Sequence, residues 1–250
     1  MSLTTKVLLG MFLGIVVGLG INLSGLYSAD SFIGIYVVDG LFHVIGKLFI
    51  NSLKMLVVPL VLFSLICGVC GIGDVKLLGR IGGKAFALYM LTTAIAVASA
   101  LTIAALAGIG QGMNASSDVV FSGQEPPPLT EVIIKIVPSN PIAAMANGEM
   151  LSIIFFAILT GVSLLLVGRS ATPLIDGAKL ANEVMMKMVG IVMAVAPYAV
   201  FCLLAKAMAQ LGFELLTQLA GYVVVLVFVL LFHLFVTLQL VLALFSRLSP

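Results

Sequence analysis

The sequence predicts an all-α integral membrane protein with six transmembrane helices, and three observations lead there. Its 250 residues are 62% hydrophobic and 9% charged, with a mean hydropathy of +1.30. A soluble domain carries about 25% charge to solvate its surface. Six charge-free apolar runs approach or exceed the ~20 residues that cross a hydrocarbon core as a helix. The connections between those runs alternate between basic and acidic or neutral, the pattern that sets orientation in a bilayer.

The first run, Val7–Ala29, follows Lys6 and has no small-residue cleavage site, so it reads as an uncleaved membrane helix rather than a signal peptide. The second, Met55–Gly73, extends backwards through Asp39, His43, Lys47 and Lys54. At 100° per residue these four fall within about 80° of one another, on one helical face. One long helix with a polar edge fits, through snorkelling with an intrahelical ion pair or by lining a subunit or domain interface. The third run, Ala85–Ser117, exceeds a span, and Gly108, Gly110 and Gly112 are expected to stop it. Met150–Gly168, Met188–Ala205 and Leu215–Ser246 follow. Allowing for polar ends, helices are expected near 7–29, 38–73, 82–110, 143–168, 176–205 and 213–246.

Connection charges run in order. Asp30 and Asp39 make the first acidic; Asp74, Lys76, Arg80 and Lys84 make the second basic. Asp118, Glu125, Glu131 and Lys135 give an acidic third, and Arg169 to Lys187 a basic fourth. Lys206 and Glu214 cancel. Both termini are therefore expected in the cytoplasm. With 12 basic and 10 acidic side chains the chain is too balanced for a nucleic-acid partner. Gly14, Gly18 and Gly20, and Ala94, Ala96, Ala98 and Ala100, predict close helix packing.

The stretch Ile136–Gly161, IVPSNPIAAMANGEMLSIIFFAILTG, sets helix breakers against an apolar run. Pro138 and Pro141 each lack an N–H and push the preceding residue out of helical geometry. Irregular backbone at membrane depth survives only where protein or a watery cavity satisfies it. Asn140, Asn147 and Glu149 are candidate partners. The alternatives are an external loop dipping into headgroups and a re-entrant, multi-part segment of a transporter, where broken elements recur.

That stretch, FINSLKMLVVPLVLFSLICGVCGIGDVKLLGRIG over Phe49–Gly82, and APYAVFCLLA over Ala196–Ala205 resemble the dicarboxylate/amino acid:cation symporter family, the glutamate transporter homologues. The similarity runs through essentially the whole chain, in register with the family's first six helices. It implies the glutamate-transporter-homologue fold, of eight transmembrane helices and two hairpins. The two C-terminal hairpins and last helices are absent here, and with them nearly all substrate contacts. The chain is thus expected to be the N-terminal part of a longer symporter domain over 1–250, with no substrate-binding residue of its own.

Tyr89, Thr92 and Thr93 occupy positions i, i+3 and i+4 of the third helix, so their hydroxyls share a face. Such oxygens can replace an alkali cation's hydration shell, and they can equally bond back to their own helix. The resemblance implies a sodium-site role for Tyr89, Thr92 and Thr93. It also implies cation-coupled symport of anionic amino acids or C4-dicarboxylates by an elevator-like mechanism. The coupling ion is sodium or a proton, with no organic cofactor. A homotrimer in the inner (plasma) membrane is implied, helices three and six moving against a scaffold of one, two, four and five.

Two other readings compete. One is an incomplete fragment with a structural role only. The other is a membrane redox enzyme built on Cys67-x-x-Cys70 or on haem between His43 and His233. The cysteines lack the exposed, electropositive setting that activates a thiolate, Cys202 is solitary, and nothing positions the histidines together. No catalytic residue is therefore assigned. Asn22-Leu-Ser and Asn114-Ala-Ser match the glycosylation pattern, which carries no weight in a bacterial host.

Overall fold

The computed structural model describes residues 1–28, 31–108 and 128–246, and every regular element among them is helical. Helix α1 spans Leu3–Leu23 and α2 spans Ile33–Ile72, π-helical over Ile33–Phe42 and α-helical from His43. Then come α3 (Val75–Leu106), α4 (Leu129–Ile134), α5 (Pro141–Asn147), α6 (Met150–Val167) and α7 (Thr172–Ala194). Helix α8 is Ala196–Gly212 and α9 covers 213–246, separated by the non-helical Gly212 at φ 64, ψ −161. Gly110 and Gly112 lie outside the described residues, as does most of the third connection; α3 has ended at Leu106, with Gly108 at φ 65.

Among the described residues, five stretches have the length and composition of a span: Leu3–Leu23, Ile33–Ile72, Val75–Leu106, Met150–Ala194 and Gly221–Phe245. The run expected as one helix over 176–205 is cut at Val195, whose N–H closes α7 onto Val192 at 3.1 Å. Pro197, two residues on, supplies no N–H to continue the ladder. Ala196–Gly212 is consequently a shorter apolar helix of its own. Within Met150–Ala194 the chain doubles back at Gly168, which has φ 74 and ψ −141. Cys70 of α2 lies 3.8 Å from the Gly161 carbonyl of α6 and within electrostatic reach of Lys179 on α7. A straight helix would hold those two positions about 27 Å apart.

The described helices form two compact units. One contains α1, α2 and α4 to α8; the other contains α3 from Gly79 and α9 from Glu214. In the first unit, α2 packs along α6 and α7, and a small core gathers Phe42, Cys202 and Ala205, flanked by Ile21, Val37, Ile45 and Phe201. Phe42 meets Phe201 edge-on, with centroids 5.7 Å apart.

The closest packing in that unit joins α1 to α8. A Cβ on Gly14 would stand 2.6 Å from the Phe201 carbonyl oxygen, and one on Gly18 2.5 Å from that of Ala205. Gly10 meets Pro197 in the same way, and Asn22 Nδ2 donates to the Ala209 carbonyl at 2.9 Å. Each pair is 187 residues apart, so the two helices run parallel in a fixed four-residue rhythm. Only glycine lets two backbones approach so closely. Gly20, also expected at a helix contact, has nothing within 4 Å of its would-be Cβ. It sits on another face, and Gly10 takes its place in the seam. In the second unit, Ala96 and Ala100 line a groove against α9 while Ala94 and Ala98 are exposed.

Candidate functional site

Asp39 and His43 of the polar edge expected on α2 come together, and their partner comes from another helix; Lys47 and Lys54 are not part of that contact. Lys206 of α8 reaches Asp39 Oδ1 at 2.8 Å and His43 Nδ1 at 3.1 Å. Gln210, one turn on, donates to the same carboxylate oxygen, Asp39 Oδ1, at 3.0 Å and to the Tyr27 hydroxyl at 3.2 Å. Tyr27 in turn donates to Asp39 Oδ2 at 3.4 Å. The expected intrahelical ion pair is thus an interhelical one. Spacing along α2 identifies Asp39 and His43 but misses Lys206, whose charge, counted within a connection, simply cancels Glu214. Charges among apolar helices are held by pairing, and this node fastens α8 to the start of α2. Just beyond it, Asn22 satisfies the Ala209 carbonyl, which the break at Gly212 removes from the regular ladder.

The proline-rich stretch resolves into one short helix, α5, ahead of α6, with α4 ending just before it at Ile134. Asn140 caps α5: its Oδ1 accepts from the Ile142 and Ala143 N–H groups at 3.0 and 3.2 Å. Pro141 occupies the first turn, where no N–H is missed. Gly148 ends α5 at φ 71, and Asn147 Nδ2 donates to Glu149 Oε1 at 3.3 Å. Ser152, 2% exposed, donates to the Lys135 carbonyl at 2.6 Å and ties α6 to the chain before the prolines. Of the residues the sequence singled out, Asn140 satisfies the broken backbone, while Asn147 and Glu149 bond each other's side chains; Ser152 adds a second tie to the main chain.

Tyr89, Thr92 and Thr93 lie on α3, in the second unit. Tyr89 and Thr93 are exposed and Thr92 half-buried. The Thr92 hydroxyl donates to the carbonyls of Leu88 at 2.9 Å and Tyr89 at 3.1 Å. Its proton is therefore committed to the helix, which leaves its oxygen lone pairs for a cation. Their spacing sets the three residues on one side of α3. Among the described residues, no cluster of three His, Cys, Asp or Glu side chains stands ready to hold a metal.

Cys67, Cys70 and Cys202 are free thiols, the last buried in the small core. His43 belongs to the α2–α8 node and His233 to the other unit, where it lines the α3–α9 groove beside Ala96 and Ala100. The His233 Nδ1 is buried without a partner. Asn22 is engaged with α8, and Asn114 lies outside the described residues.

Comparison with known proteins adds the last observation. A model of the sodium:dicarboxylate symporter family matches residues 3–250. The chain is 35% identical over 252 residues to the proton/glutamate-aspartate symporter of Escherichia coli, with 96% of this chain and 56% of that protein covered. It is 29% identical over 247 residues to the proton/sodium-glutamate symport protein of Geobacillus stearothermophilus, covering 95% of this chain and 56% of the relative. The C4-dicarboxylate transport protein of Bacillus subtilis is 30% identical over 209 residues, 81% of this chain and 50% of that protein. The chain spans about half the length of these relatives.

Proposed function

The chain belongs to the sodium:dicarboxylate symporter family, and from that premise we propose that it is the N-terminal part of a secondary active transporter. Its task is cation-coupled symport of an anionic amino acid or a C4-dicarboxylate. The observation that carries this reading is the family match from residue 3 to residue 250. The similar proteins bear names that pair protons or sodium with glutamate, aspartate or C4-dicarboxylates.

The working parts follow from the same premise. The unit of α1, α2 and α4 to α8 serves as a trimeric scaffold, and the unit of α3 and α9 belongs to the element that moves. The division of the helices into those two compact units supports this assignment. Six crossings result when α6 and the α7–α8 stretch cross separately, which the reversal at Gly168 favours. Both termini face the cytoplasm, and the membrane is the inner (plasma) membrane. Tyr89, Thr92 and Thr93 contribute three oxygens to a sodium site, and the substrate is held by the part of the protein beyond this chain. Cation and substrate each favour the state in which the other binds, so the coupling free energy is reciprocal.

The experiment uses protein expressed from the complete coding sequence and reconstituted in proteoliposomes, with labelled aspartate as the probe. Removing two cation ligands by Thr92→Val with Thr93→Val should raise the sodium concentration for half-maximal uptake about tenfold, the equivalent of ~1.4 kcal/mol. Unaltered sodium dependence would remove these hydroxyls from the cation site.

A further inference from the structure

Beside the α1–α8 seam lies a groove of about 340 Å³. One wall is Lys6, Leu9, Gly10 and Leu13 of α1; the other is Ala194, Pro197, Tyr198 and Phe201, from the end of α7 and the start of α8. Both sets repeat the spacing i, i+3, i+4, i+7, so the groove is a strip between two parallel helix faces, about two turns long. The register of 187 sets Lys6 level with the α7–α8 break. An ammonium and a phenol are therefore the polar side chains of an otherwise apolar slot. The Lys6 ammonium has no ion-pair or hydrogen-bond partner among the described residues, and Tyr198 is 70% exposed.

We propose that this groove binds a phospholipid with an anionic headgroup, the Lys6 ammonium meeting its phosphodiester and the Leu9–Leu13–Phe201 strip taking the start of an acyl chain. The chain's surroundings are lipid, so the occupant competes from within the bilayer. The apolar walls give a free anion nothing. A zwitterionic lipid brings its own cation, for which the groove offers no carboxylate. One unpaired positive charge with no acidic neighbour in the lining selects a net negative headgroup of the phosphatidylglycerol kind. Tyr198, with an apolar ring and a polar tip, suits the headgroup boundary. The attraction of one lysine for an anionic lipid surface is about 1 kcal/mol, which converts to roughly a fivefold preference.

These 250 residues contain no tryptophan, so in the complete protein, with any tryptophan outside them replaced by phenylalanine, Tyr198→Trp gives a single indole at the groove. The probes are bilayers of phosphatidylcholine containing brominated phosphatidylglycerol or brominated phosphatidylcholine, whose bromines quench nearby indole. The expected result is about fivefold stronger association of the glycerol lipid, reduced to no preference by Lys6→Gln and kept by Lys6→Arg. Phe228→Trp on α9, outside the lining of this groove, should show no preference in any background. Equal quenching of the Tyr198→Trp indole by both lipids, or a preference that survives Lys6→Gln, overturns the proposal. Should Tyr198→Trp fail to fold, Leu9→Trp on the opposite wall reads the same ratio. None of these outcomes involves flux, so failure here leaves the transport reading standing.

Discussion

Gly14→Ala and Gly20→Ala add the same methyl group to the same helix, and the structure gives them opposite signs. At Gly14 the new carbon would lie 2.6 Å from the Phe201 carbonyl oxygen, 3.1 Å from the Phe201 Cα and 3.2 Å from the Leu204 Cβ. Two of those three are backbone atoms of α8, which cannot swing aside as a side-chain tip can. Helix α1 must move outward instead. That loosens Gly10 against Pro197, Gly18 against Ala205 and the Asn22 bond to Ala209, since all share one register. Overpacking of this kind costs about 1–3 kcal/mol. At Gly20 nothing lies within 4 Å, so the methyl meets no protein. What remains is the backbone entropy that alanine saves in a helix interior, about 0.5–1 kcal/mol of stabilisation. The two variants should differ by roughly 1.5–4 kcal/mol. Unfolding by dodecyl sulfate in mixed micelles, followed by far-ultraviolet circular dichroism, reads the difference directly. Equal midpoints, or a Gly20 variant weaker than the Gly14 one, would refute the parallel glycine seam.

The Asp39–Lys206 node makes a second case. Their side chains are 41% and 21% exposed, so the loss on Asp39→Asn falls below the ~3–5 kcal/mol of a fully buried pair, at about 1–2 kcal/mol. Lys206→Met added to Asp39→Asn should restore part of it, and a coupling near zero in the double-mutant cycle would show that the pair does not fasten α8 to α2. Asn140→Ala removes the acceptor from two N–H groups and should cost about 1 kcal/mol, with Asn140→Asp tolerated. Hydrogen exchange at the Ile142 and Ala143 amides checks this, and unchanged exchange would count against the cap. In the complete protein freed of every native cysteine, Cys67, Cys70 and Cys202 included, Lys76→Cys should react with an impermeant maleimide in inverted vesicles only. Labelling in intact cells would reverse the orientation.

Much of this is legible in the sequence, because lipid is a severe solvent. The apolar runs foreshadow α1, α2, α3, α6 and α9, and the need to satisfy backbone at Pro138 and Pro141 points to Asn140, which caps α5. Local chemistry is readable because donor and acceptor lie within three residues. The Asp39–Lys206 pair is not: its partners are 167 positions apart, and periodicity on α2 shows that a polar face exists without showing what it meets. The cut at Val195 is hidden because the run through it is uniformly apolar, and a single proline two residues later gives the only signal. Gly10 and Gly20 look alike in sequence; only the register with α8 distinguishes them. Tyr89, Thr92 and Thr93 stand out by their spacing, which fixes a shared face on α3 but does not show what that face meets.

The most direct measurement is uptake by the complete protein in proteoliposomes under an imposed sodium or proton gradient, with labelled glutamate, aspartate and a C4-dicarboxylate offered in turn. Membership of this family predicts accumulation of at least one of them above its external concentration, abolished when an ionophore collapses the gradient. Vesicles that take up none of the three, or do so equally well without any cation gradient, would contradict it.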